Sequence, residues 1–133
     1  MFDDHARARQ RLADELVAWM TTVRPDGRPQ TSPVWFLVEG DEILVYSAET
    51  ARLRNIAGNP HVAMNLDGNG RGGDIVTLEG TARIVPGERP ASANATYVAK
   101  YEAAMERNEW SPDRFAELYP VAVRVTFERG RAW

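Results

Sequence analysis

Near the end of the chain Val121, Val123, Val125 and Phe127 alternate with Ala122, Arg124, Thr126 and Glu128. This period-two pattern predicts a strand with one face in the core and one in water. Similar β-rich runs at residues 17–24, 29–39, 42–47, 61–66 and 74–85 bring the expected number of strands to six. Pro25-Asp26-Gly27-Arg28 has the composition of a hairpin turn, and Gly40-Asp41 marks another. Val34-Trp35-Phe36-Leu37-Val38 is apolar on both alternating faces, which predicts a strand that lies centrally or under a partner. Gly80 in the middle of its run predicts a bulge or a close backbone approach.

Helical spacing is confined to a few places. Ala8, Leu12 and Leu16 predict a short amphipathic helix over residues 3–16, with Asp3 or Asp4 as cap, acting as a lid or a prop. Thr50 is placed to cap a turn or two that Gly58-Asn59-Pro60 closes. After a linker at 86–90, residues 91–110 have helical composition, with Ala95, Val98, Ala99, Glu102 and Met105 as a weakly apolar stripe. Ser111 followed by Pro112 starts another helix. The expected organisation is one domain over residues 1–133, with an N-terminal helix at 1–16 and a helical insertion at 90–119 before the last strand. Strands joined mostly by short turns favour a mainly β fold, a small closed or split antiparallel barrel. The strand–helix–strand alternation of a doubly wound sheet is absent, and the glycines at 68–73 lead into a strand where a dinucleotide fingerprint would open a helix.

Composition narrows the chemistry. With no cysteine, thiol nucleophiles, thiolate metal sites and iron–sulfur clusters are excluded, and a reducing compartment, the cytoplasm, is expected. A net charge of −3 argues against a basic nucleic-acid binder and for a small-molecule partner. No run is long and apolar enough to span a membrane, and the Met1-Phe2-Asp3-Asp4 start is acidic where an export signal is basic. The two histidines, His5 and His61, have no histidine or cysteine near them, so no metal site is assigned. No serine lies in a nucleophile elbow.

The informative stretch is residues 46–56. If Thr50 caps the helix, Arg52 and Arg54 fall in its first turns, the end where the helix dipole disfavours cations. A bound phosphate would resolve that conflict through free backbone N–H groups and two guanidinium forks. The alternative is that both arginines reach solvent or pair with Glu49 and Glu42. Gln30-Thr31-Ser32-Pro33 is a second polar group, and because proline cannot donate to a ladder, this part of its strand reads as an edge or a cavity lining. Trp35 and Phe36 are suited to a cofactor wall, to core or to an interface. The loop at 67–74, half glycine, is either floppy or shaped around something.

In their order and spacing, residues 19–30, Ser32-Pro33-Val34-Trp35-Phe36, Leu53-Arg54-Asn55-Ile56, Asn59-Pro60, Gly72-Gly73-Asp74-Ile75-Val76 and Glu79-Gly80-Thr81-Ala82 resemble the pyridoxamine 5′-phosphate oxidase-like split-barrel superfamily. Within it the chain is most similar to actinobacterial reductases that use the deazaflavin coenzyme F-420. The resemblance implies a homodimer of six-stranded, FMN-binding-type split barrels with cofactor sites at the subunit interface. It assigns phosphate binding to Arg52, Arg54 and Asn55, although relatives commonly carry lysine at the position of Arg52. It assigns the ring-lining strand to Gln30, Ser32, Pro33 and Val34, and places Gly73, Asp74 and Ile75 of the second subunit over the same ring. The implied activity is hydride transfer from reduced deazaflavin to a conjugated acceptor such as an enone, a quinone or a tetrapyrrole. The implied alternatives are an FMN oxidase or reductase and a non-catalytic cofactor or haem carrier, for which His61 is the one modest axial ligand. No catalytic side chain is singled out.

Overall fold

The computed structural model describes residues 1–133. It contains α1 (Ala6–Asp14), β1 (Ala18–Val23), β2 (Pro29–Val34), β3 (Leu37–Glu39), β4 (Glu42–Ser47), α2 (Ala51–Gly58), β5 (His61–Asn65), β6 (Val76–Ile84), a single 3-10 turn (Ala91–Ala93), α3 (Ala95–Arg107), α4 (Pro112–Leu118) and β7 (Val121–Ala132). The seven strands form one antiparallel sheet in the order β2-β1-β5-β6-β7-β4-β3. The sheet must curl. Val34 ends one edge strand and Leu37 begins the other, and three residues span at most about 11 Å. Seven strands laid flat at roughly 4.8 Å spacing would hold the two edges roughly 29 Å apart.

This corrects two expectations. There are seven strands, not six, because the apolar run read as one strand over 29–39 is broken at Trp35 and Phe36. Its two halves are the outermost strands of the sheet, not a central one. Leaving the ladder frees the backbone of Phe36, and such groups cannot be buried unpaired. The Phe36 N–H donates to the Tyr101 hydroxyl at 2.7 Å, and its carbonyl accepts from Lys100 Nζ at 2.9 Å and from Tyr101 at 2.9 Å. Two neighbouring residues of α3 thus hold the seam of the barrel.

Inside the curl lie Met20, Val34, Phe36, Ile43, Val45, Val62, Met64, Leu78, Val123 and Val125, with Leu12 of α1 and Ile56 of α2 plugging it. Helix α1 starts later than expected. Its cap is His5, whose Nδ1 accepts from the Ala8 N–H at 3.2 Å, so neither Asp3 nor Asp4 serves. The bulge expected at Gly80 is present between Glu79 and Gly80, and a Cβ there would stand 2.4 Å from the Thr126 carbonyl oxygen. No side chain fits at that distance, so β6 and β7 approach as closely as they do only with glycine.

Outside the barrel a second apolar cluster joins Leu37, Leu44, Tyr46 and Ala122 of the sheet to Tyr97, Tyr101, Ala104, Met105 and Phe115 of the insertion. The face that α3 buries is Tyr97, Tyr101, Ala104 and Met105; of the expected stripe only Met105 belongs to it, and Ala95, Ala99 and Glu102 are exposed. The apolar residues 34–38 are thus packed largely within the chain, against one cluster or the other.

Candidate functional site

Strand β2, the first turn of α2 and the insertion enclose a cleft of about 550 Å³. That lies within the usual range for small-molecule sites. Its strand side is formed by Pro33, Val34, Ala48, Thr50 and Arg52, and its helix side by Asn108, Trp110, Phe115 and Tyr119. Pro33 occupies an edge strand, as a residue without an N–H to donate requires.

Arg52 is the only charged residue among the lining groups. Its guanidinium donates to Ser32 Oγ at 2.6 Å and to Ser47 Oγ at 3.1 Å, while Ser47 in turn donates to the Ala48 carbonyl at 2.7 Å. Its Nε is buried without a partner. Burial pushes its pKa down, and no neighbouring carboxylate opposes that shift. A half-buried cation held only by neutral hydroxyls, with its buried Nε–H unspent, at the helix end whose free N–H groups also carry positive potential, is suited to receive an anion.

Gln30, Ser32, Arg52 and Asn55, drawn from two separate sequence groups, pair across β2 and α2, Arg52 with Ser32 and Asn55 with Gln30. Asn55 is buried and donates through Nδ2 to Thr22 Oγ1 at 3.0 Å and to Gln30 Oε1 at 2.9 Å. It ties α2 to the β1–β2 hairpin and leaves the Gln30 amide N–H groups as that side chain's donors. Arg54 is not brought to the cleft. Residues two apart on a helix point about 200° from one another, so Arg54 lies exposed while Arg52 turns inward.

Gly73, Asp74 and Ile75 also lie elsewhere in the protomer. Their loop is ordered by its own contacts: Asn69 Oδ1 accepts from the N–H groups of Arg71 at 2.8 Å and Gly73 at 3.1 Å. The Asp74 carboxylate is held by Arg7 at 2.8 and 2.6 Å, which keeps its pKa low. Ile75 exchanges backbone hydrogen bonds with Trp133. The helix-side aromatics had not been singled out. Tyr97, Tyr101, Trp110, Phe115 and Tyr119, five large rings within 23 residues, were the available signal.

The family model described as pyridoxamine 5′-phosphate oxidase matches residues 4–133. The chain belongs to this family. Solved structures share the pyridoxamine 5′-phosphate oxidase-like fold. An F420 reductase is 24% identical over 92% of this chain and 94% of its own, with a TM-score of 0.67. A conserved hypothetical protein from Mycobacterium tuberculosis is 22% identical over 100% and 84%, with a TM-score of 0.73. The heme storage protein HutZ from Vibrio cholerae is 18% identical over 96% and 93%, with a TM-score of 0.66. No curated protein matches the sequence. No helix of this family member is long and apolar enough to cross a membrane.

Proposed function

We propose that this chain is a coenzyme F-420-dependent oxidoreductase that reduces a conjugated small-molecule acceptor. The observation that carries the reading is Arg52, a half-buried arginine whose buried Nε has no partner and which has no counter-charge, at one side of an aromatic-walled cleft. An anionic cofactor suits the first feature, and a flat acceptor held beside it suits the second. The bound cofactor would supply hydride, and the protein's own work is to hold, orient and exclude water. Arg52 and Ser32 would hold the phosphate, Pro33 and Val34 would lie along the ring, and the free amide N–H groups of Gln30 would meet its polar edge. Similarity to an F420 reductase supports this choice of cofactor.

The second subunit enters the same proposal. Across the sheet the outward rows Pro33–Trp19–Asn65–Thr77–Arg131 and Thr31–Thr21–Ala63–Glu79–Arg129 are half-buried or exposed and lie outside both apolar clusters. A second copy packed there would bring its own Gly73, Asp74 and Ile75 towards the cleft, and light scattering at micromolar concentration should give the mass of a dimer.

FMN chemistry on the same residues is the competing reading, favoured by the family's description. A haem carrier has less support, because His61 is exposed on β5, His5 is engaged as a helix cap, and neither lines the cleft. Titration of the purified protein with F-420 and with FMN decides the matter. F-420 should bind more tightly; tighter FMN, with bleaching of the flavin by substrate, transfers the protein to the second class.

A further inference from the structure

Four aromatic rings, Trp35 between β2 and β3 and three from the insertion, stack in series at small interplanar angles. Tyr101 stacks on Trp35 at 4.6 Å and 5°, Trp35 on Phe115 at 5.2 Å and 10°, and Phe115 on Tyr119 at 4.7 Å and 24°. The first ring is fully buried, and the last, Tyr119, is half-buried and lines the cleft. Trp110 meets Tyr119 edge to face at 5.9 Å and 62°, so Phe115 is the single ring stacked on it. The series ends at Tyr119, which borders the cleft and has no other ring stacked on it.

Beside this end stands Asn108, the residue after the last turn of α3. Its Nδ2 donates to the Ala104 carbonyl at 2.8 Å. A backbone carbonyl only accepts, so the amide orientation is set, and Asn108 retains for a ligand the acceptor Oδ1 together with its second Nδ2 hydrogen. The two sides of the cleft therefore differ in kind. The strand side offers a cation, whereas the helix side offers stacked rings and a neutral amide.

We infer that the helix side is a binding subsite for a planar aromatic ring carrying a hydroxyl or N–H group, stacked on Tyr119, bounded by Trp110 and donating to Asn108 Oδ1. Under the function proposed above this narrows the substrate class to flat conjugated acceptors whose ring also carries a hydroxyl or N–H group; the subsite itself stands on geometry that does not involve the cofactor. Aromatic stacking contributes about 0.5–1.5 kcal/mol beyond area burial, which separates a flat ring from a saturated one of the same carbon skeleton.

Calorimetric titration with 2-naphthol, decahydro-2-naphthol and 2-methoxynaphthalene tests each element. The parent should bind 2-naphthol about tenfold more tightly than its saturated counterpart. Tyr119→Leu should lose that margin, while Tyr119→Phe, which keeps the ring, retains it and guards against simple misfolding. Asn108→Leu should weaken 2-naphthol about fivefold and leave 2-methoxynaphthalene, which has no proton to donate, unchanged. Equal affinity for the flat and saturated rings, or an unaltered Tyr119→Leu, overturns the subsite; an Asn108→Leu that weakens both naphthalenes alike overturns the assigned donor. F-420 and FMN titrations on the same samples keep the two conclusions apart. Naphthol discrimination without affinity for either cofactor removes the proposed function and leaves the subsite, and the reverse pattern removes the subsite alone.

Discussion

Arg124 and Arg52 are both largely sheltered from water, yet the structure treats them in opposite ways. Arg124, on the strand β7, meets Glu88 at 2.6 Å, Glu39 at 3.2 Å and Glu42 at 3.3 Å. These carboxylates hold its proton more firmly than usual, Glu88 most of all. Arg52 meets two serine hydroxyls, and burial makes its proton easier to lose. The first arginine is fully accounted for by the folded chain. The second is not, and a half-buried cation without counter-charge is where a fold keeps a place for something it does not itself contain.

The largest expected effect tests that difference directly. Arg52→Met removes the charge and keeps most of the volume, so it should lower affinity for a phosphate-bearing cofactor by about 3 kcal/mol, or more than a hundredfold, as two charge-assisted hydrogen bonds would. Its stability without ligand should equal or exceed that of the parent, because an uncompensated half-buried charge is relieved. A melting curve and a binding isotherm on one sample check both halves. Loss of stability with affinity intact would make Arg52 a structural residue like Arg124.

Arg124→Met should behave in the opposite sense. Glu88, whose side chain is 12% exposed, loses the partner that keeps it ionised, whereas Glu42 still has Arg83 at 2.7 Å. We expect a loss of about 2 kcal/mol, below the range for a fully buried pair because the cluster reaches the surface, with cofactor affinity unchanged. Denaturant midpoints at neutral pH measure it.

How far this contrast was visible beforehand depends on the kind of information each feature needs. The β7 alternation, the Gly80 bulge, the Ser111 cap and the edge position of Pro33 are local, and each was legible from a few neighbouring residues; Thr50 does precede α2, but its side chain makes no capping hydrogen bond. Strand β7 runs on to Ala132 because β6 pairs with it throughout, but residues 128–131 are exposed and carry no apolar alternation to announce it. The break at Trp35 and Phe36 was hidden because those residues are as strand-like as their neighbours; it is fixed by Lys100 and Tyr101, more than sixty residues away. The site was half legible. Serine and arginine were each noticed, but their meeting across β2 and α2 is a tertiary fact, as is the aromatic wall opposite.

Lys100 offers a third case that sharpens the comparison, a cation with no carboxylate in contact that can still be titrated. Its Nζ lies 3.9 Å from the Phe36 ring centre, with Tyr101 beside it and Asp14 and Glu15 acting at longer range. Burial outweighs those acidic groups and pushes the amine down to about 8. Between that value and the ordinary 10.5, the unfolded chain holds more protons than the folded one, so this residue makes stability rise with pH across the window. Lys100→Met should flatten that rise, an effect smaller than that of Arg124→Met because the amine is only partly buried. Chemical denaturation at several pH values from 8 upwards measures the slope.

The smallest effect belongs to Arg54. It follows Arg52 by two positions and looks equivalent in sequence, but the helix turns it into solvent, where it has no ion-pair or hydrogen-bond partner in the protomer. If proximity to a helix start were enough to bind phosphate, Arg54→Ala would cost as much as Arg52→Met. The structure assigns it only a screened, long-range attraction, so we expect Arg54→Ala to weaken cofactor binding by less than about threefold at 0.15 M salt, and by less still at 1 M salt, where the Debye length shrinks to about 3 Å. A loss of ten- to a hundredfold that persists at high salt would mean that Arg54 reaches the phosphate directly. That would require the side chain to swing from its solvent position when ligand or a second copy arrives, and it would return both arginines to a shared grip.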